Sequence, residues 1–169
     1  MASTRTERTV KAARLRFTTL ITDLHARMGL PPPGAWPPAD APSAAAELEW
    51  RQVRFRFAHD AEVDRTLLVV QCFYGPALPC RAPEILARLL ELNHVLAIRR
   101  AGATFGMDAD SAEAVYVFTG LLSDVTGASL FSAVELAACH ALHWRATFLL
   151  GDPFAATSAG VEVTHAIHV

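Results

Sequence analysis

Residues 89–108 read LLELNHVLAIRRAGATFGMD, and the way this stretch changes period decides the architecture. Its first part continues an apolar helical pattern that starts near Pro83. Proline suits a first helical turn, and Glu84 beside it favours the positive end of the helix dipole. Ile85, Leu86, Leu89, Leu90, Val95 and Leu96 cover more of the helix than one core contact needs. From Ala97 to Met107 the pattern reads as a strand, with Asp108–Ser111 as a turn built from residues that bond their own backbone. A second strand follows over Glu113–Leu122 through Val115, Tyr116, Val117 and Phe118. The centre of the chain is therefore a helix followed by an antiparallel hairpin.

Working outward, Phe17, Leu20, Ile21, Leu24 and Met28 fall on one stripe of a helix expected over residues 10–28. Gly29 is placed to end it and Pro31 blocks its continuation. Residues 31–46 hold six prolines and read as an extended connector, with Trp36 expected to pack down onto the domain. Val53, Phe55 and Phe57 alternate with Gln52, Arg54 and Arg56, the period of a half-buried strand. Thr66–Tyr74 is a nearly continuous apolar run, a strand with neither face strongly polar. A last helix is expected over Leu130–Leu150, with Ser129 as N-cap and Gly151 and Pro153 as stops. Val161–Val169 alternates weakly, as an edge strand would. Strands joined by short turns imply an α+β sandwich with an antiparallel sheet, not a doubly wound one. The expected organisation is a basic flexible arm over 1–9, one domain over 10–150 and a C-terminal extension over 151–169.

Composition narrows the function. The 169 residues are 52% apolar and 19% charged, enough for a core without disulfide or metal support. Residues 1–16 carry five basic groups against one acidic group, leaving ten basic and sixteen acidic groups in the rest. An acidic body argues against a nucleic-acid groove. Cys72, Cys80 and Cys139 form an odd set without CxxC spacing, which fits a reducing cytosol. The longest uncharged run, Thr66–Cys80, is too short and too broken to span a bilayer, and the basic start is not followed by a signal-peptide pattern.

Chemistry-bearing clusters are few. Cys139, His140 and His143 share one expected helix, where the two histidines could share a face, but two ligands do not make a metal site. A cysteine nucleophile would also need a substrate groove. His165 and His168 form an HxxH near the chain end. Asp108, Asp110 and Glu113 fall at a hairpin, where aspartate serves the turn. No phosphate-binding or nucleophile-elbow motif is present. No catalytic residue, cofactor or metal is therefore expected.

The stretch 89–108 resembles the CesT (Tir chaperone) family of type III secretion chaperones. Those proteins carry a leucine-rich helix ending in Asn, a short spacer and a Gly-bearing strand of the type GGATLGLD. Asn93 takes the Asn position and Ala101–Asp108 the strand. Trp144 with Leu149 and Leu150 is similar to the family's closing pattern. The resemblance implies an α-β-β-β-α-β-β-α protomer, a cytoplasmic bacterial homodimer with the second helix at its interface, and no nucleotide. It implies a chaperone that binds the N-terminal region of one or more secreted effectors. The effector would be held extended, as strands added to sheet edges and side chains placed in grooves. Secretion-apparatus components would be further partners.

The residue pattern points the same way. A helix apolar on two sides wants both a core and a second subunit, so Leu86, Leu89, Leu90 and Asn93 are the dimer candidates. Val53, Phe55 and Phe57, with Leu68, Val70 and Cys72 of the next strand, are the effector-binding candidates, with plain core as the competing reading. Two alternatives stand beside the chaperone: a YbjN-like binding module without a secretion role, and an enzyme using Cys139 with His140 or His143.

Overall fold

The computed structural model describes residues 2–38 and 41–150. The expected extension 151–169 lies outside them. Three helices and a five-stranded sheet follow in the order α1 (Ala2–Met28), β1 (Ser43–Trp50), β2 (Val53–Asp60), β3 (Leu67–Pro76), α2 (Ala82–Ile98), β4 (Ala103–Met107), β5 (Glu113–Leu121) and α3 (Gly127–Thr147), with one 3-10 turn before α2. The sheet order is β1-β2-β3-β5-β4 and every neighbouring pair is antiparallel. This is the α+β sandwich and the element order expected above.

Helix α1 buries Phe17, Leu20, Ile21, Leu24 and Met28, the stripe read from the sequence. It begins at Ala2, so residues 2–9, expected as an arm, carry helical backbone. Its end is a Schellman motif: Gly29 sits at φ +67°, its N–H donates to Ala26 and that of Leu30 to His25. The connector then runs back along α1. Trp36 meets Phe17 edge-on at 5.8 Å, and the buried Arg14 donates to the carbonyls of Pro37, Ala41 and Ser43.

The connector ends at Pro42, four residues before the sequence suggested. Once the prolines stop, Ala44, Ala46, Leu48 and Trp50 point inward and form an edge strand. Alanine is too weak a β signal to have marked it. A two-residue turn at Arg51 (φ 51°) and Gln52 (φ 63°) joins β1 to β2, both residues in the left-handed conformation of a type I′ hairpin.

Two further boundaries differ. Ala97 and Ile98, expected in a strand, complete α2. Arg100 at φ 52° ends that helix, with its own N–H bonded to Ala97 and the N–H of Ala101 to Leu96, and Gly102 at φ +59° leads into β4. A non-glycine residue in that geometry gave no signal. Helix α3 starts at Gly127, not Leu130, because Thr126 is the N-cap. Ser129, the third residue of the helix, completes a capping box, its side chain accepting from the N–H of Thr126. Its end comes at Phe148, in the left-handed region at φ 53°.

Helices α1 and α3 cover one face of the sheet and enclose the core with Phe55, Phe57, Tyr74 and Phe118. Side chains of α3 fasten it to the sheet: Glu135 holds Trp50 and Arg51, while Arg145 donates to Gln52 and Tyr74. The two helices touch where Gly127 meets Asp23, whose carboxylate also pairs with Arg27. A Cβ at Gly127 would overlap that carboxylate. Gly127→Ala should therefore lower stability by about 1 kcal/mol in urea unfolding, while Gly106→Ala, with nothing within 4 Å, should stay within about 0.5 kcal/mol.

Candidate protein-binding surfaces

The structure sorts the sequence candidates by the direction of their strands and helices. Val53, Phe55, Phe57, Leu68, Val70 and Cys72 all point at α1 and α3 and are at most 1% exposed. They are core, and no guest reaches them in this protomer. The period-two reading of β2 was right, but it located the inner face. β3 looked apolar on both sides because its outer face carries Leu67, Val69 and Phe73, of which Leu67 and Val69 are partly exposed and Phe73 is buried. Phe73 lies under the guanidinium of Arg54 at 3.8 Å, and Arg54 is tied to Glu113. The Cys72 thiol approaches the Ala137 carbonyl, and burial pushes its pKa well up, so it stays a neutral core group.

The dimer candidates divide three ways. Leu89 faces the core beside Ile85 and is 4% exposed. Leu86 and Leu90 are 45% and 69% exposed. Ile98, two further turns on, is exposed too, and the three lie along one i, i+4 row of α2 with the exposed His94 between Leu90 and Ile98. Met107 at the end of β4 is exposed as well.

Asn93 does something else. Its Nδ2 donates to the Phe105 carbonyl at 2.8 Å, and its Oδ1 accepts from the Phe105 N–H at 2.6 Å. Thr104 adds a hydroxyl donor to the same Oδ1 at 3.2 Å. Phe105 is a residue whose backbone groups point away from β5, since the bonds joining β4 to β5 fall on its neighbours, as with Thr119 N–H to Gly102. The carboxamide thus takes the place of a neighbouring strand at the centre of this edge of the sheet.

The opposite edge is open. In the β1–β2 hairpin the bonded pairs run from Trp50↔Val53 through Leu48, Ala46 and Ala44, and Ala61 N–H continues the series to Pro42. Ser43, Ala45, Glu47 and Glu49 therefore turn their backbone groups outward. Arg14 takes the Ser43 carbonyl at 2.6 Å. Among the described residues nothing bonds the outward groups of Ala45, Glu47 or Glu49. These three were missed by sequence reading, because the alternation in SAAAELEW was hidden behind the proline run.

The catalytic alternatives find little geometry. Cys139 is exposed, and burial with the nearby His143 lowers the pKa of His140. Among the described residues no three metal-ligating groups converge. Asp108 accepts from the N–H and hydroxyl of Ser111, which hold its carboxyl below the usual range and form the hairpin turn. One small apolar hollow is lined by Leu68, Val70, Phe118, Gly120, Val125 and Leu130, without a polar side chain. No helix among the described residues is long and apolar enough to cross a membrane.

No family model and no curated protein matches this chain. Solved structures do. A chain of the ExsC–ExsE complex aligns with a TM-score of 0.60 at 18% identity, over 80% of this chain and 96% of that one. A chain of the HopA1–SchA chaperone–effector complex aligns with a TM-score of 0.57 at 15% identity, over 79% and 96%. At these identities the likeness is one of fold: this chain shares its fold with chains of those two complexes, the second of which is a chaperone–effector complex.

Asn93→Ala leaves two backbone groups of Phe105 without partners and should cost about 1–3 kcal/mol in chemical unfolding. An unchanged midpoint would mean that the clamp adds nothing. In native protein a thiol reagent should modify Cys80 and Cys139, with Cys72 reacting only after denaturation.

Proposed function

We propose that this protein is a type III secretion chaperone that works as a cytoplasmic homodimer, without catalysis, and holds the N-terminal region of one or more effectors in an extended, export-competent form. The observation that carries the reading is the sheet with one edge blocked at its centre and the other open over three outward-facing residues. Asn93 occupies the middle of β4, while β1 presents unpaired backbone groups at Ala45, Glu47 and Glu49. An extended segment added there gains main-chain hydrogen bonds whatever its sequence, and its alternate side chains supply selectivity. That is how one small protein can keep an unfolded client soluble. The fold shared with the ExsC–ExsE and HopA1–SchA complexes supports the same class of partner. Bacterial virulence is the setting this function implies.

Dimerisation belongs on α2. Leu86, Leu90 and Ile98 form a stripe that one protomer leaves in water, and a second copy related by a twofold axis would cover it with the same residues. Asn93 then acts beneath that interface, fixing β4 to α2, and Leu89 belongs to the core that supports it.

Leu90→Glu should convert a dimer to a folded monomer by light scattering, with the circular dichroism spectrum retained. Leu89→Glu should instead unfold the chain, because it buries an unpaired charge. A folded Leu90→Glu protein that stays dimeric rules out the α2 interface. Proline at Ala45 removes an outward N–H and leaves the β1–β2 bonds intact. Ala45→Pro should therefore stay folded yet recover much less of an effector's N-terminal fragment on co-expression. Undiminished recovery would exclude the β1 edge.

A further inference from the structure

We propose that the segment docked on β1 alternates apolar and basic residues, with its basic side chains opposite Glu47 and Glu49. The inference rests on the edge-docking reading above and adds the chemistry of the guest.

The register follows from the hairpin. Ala45, Glu47 and Glu49 are the residues whose backbone groups face outward, so a guest strand pairs with them directly. Directly paired residues share a face of the sheet. Ala45, Glu47 and Glu49 lie on the outer face, exposed, while Ala44, Ala46, Leu48 and Trp50 lie on the inner one. Guest residues bonded to Glu47 and Glu49 therefore place their side chains beside two carboxylates. The residues between them turn toward α1 and α3.

Among the described residues neither the Glu47 nor the Glu49 side chain is in an ion pair or hydrogen bond. Glu49 faces Arg54, which is already held by Glu113 and lies over Phe73. Glu47 faces Arg56, with no ion pair between them. Two other described cations at the ends of this strand are engaged: Arg51 by Glu135, and Arg14 by the carbonyls of Pro37, Ala41 and Ser43. Two like carboxylates at alternate positions of an open edge repel an acidic strand and attract a basic one. On the inner side, Ala44 and Ala46 are small, and at the far end of the strand the half-buried Trp50 and Phe131 rings meet edge-on at 6.3 Å. That surface suits apolar guest side chains.

Three fluorescein-labelled ten-residue peptides test this on the full chain by anisotropy at low salt. Valine alternates in them with lysine, glutamate or threonine. The wild type should bind the Val–Lys peptide about tenfold more tightly than the Val–Glu peptide. Glu47→Lys with Glu49→Lys should reverse that order. Asp110→Lys with Asp124→Lys, which changes net charge equally away from β1, should preserve it. Circular dichroism checks that each variant is folded. Equal affinity for the Val–Lys and Val–Glu peptides, or a preference that the β1 reversal leaves in place, overturns the charge pattern. If the Val–Thr peptide still binds and Ala45→Pro abolishes its binding, edge docking survives that result. If none of the three peptides binds, both the pattern and the edge-docking reading fail.

Discussion

The Asn93 carboxamide paired with both backbone groups of Phe105 is the constraint on which the rest of the surface depends. A five-stranded open sheet has two edges, each a template for another chain. One side chain from α2 removes the template at the centre of β4. It also fixes α2 to the sheet, so the same contact sets the angle at which Leu86 and Leu90 stand in solvent. The centre of that edge is thereby made part of a helix-bearing surface, while the outward groups of β1 stay unpaired among the described residues.

The β1 edge is held ready by the opposite strategy. Arg14, buried under the connector, gathers three carbonyls and pins the chain where the strand begins. Glu135 and Arg145 of α3 pin the hairpin at its other end. Between those anchors the strand is ordered before any guest arrives, so a guest bears only its own ordering entropy. Charge at Glu47 and Glu49 protects the exposed edge from unrelated strands, as edge charges do generally. Under the proposed docking, exclusion and selection by these carboxylates would be one electrostatic effect.

How much of this the sequence disclosed varies by element. The stripe on α1 and the inner face of β2 were legible because periodicity reports burial directly, whereas on α2 the apolar pattern did not separate the buried Leu89 from the exposed Leu86 and Leu90. The resemblance over 89–108 gave the topology, and Asn93 stood out there, but its spacing could not say that it bonds the backbone twelve residues on. The six strand residues expected to hold an effector are core, because alternation identifies a buried face without saying what buries it. β1 was half lost in the connector, since three alanines after six prolines carry almost no strand signal. The ends of α2 and α3 moved because Arg100 takes a backbone conformation usually left to glycine, and because Thr126 outcompetes Ser129 as the cap.

The central claim is that an effector's segment extends the sheet at β1. Backbone amide hydrogen exchange on the chain, alone and co-purified with an effector's N-terminal fragment, tests it most directly. The account predicts that the Ala45, Glu47 and Glu49 amides, unpaired in the free protein, become strongly protected in the complex, while the Phe105 amide, already bonded to Asn93, changes little. A complex in which the β1 amides exchange as fast as in the free protein would contradict it.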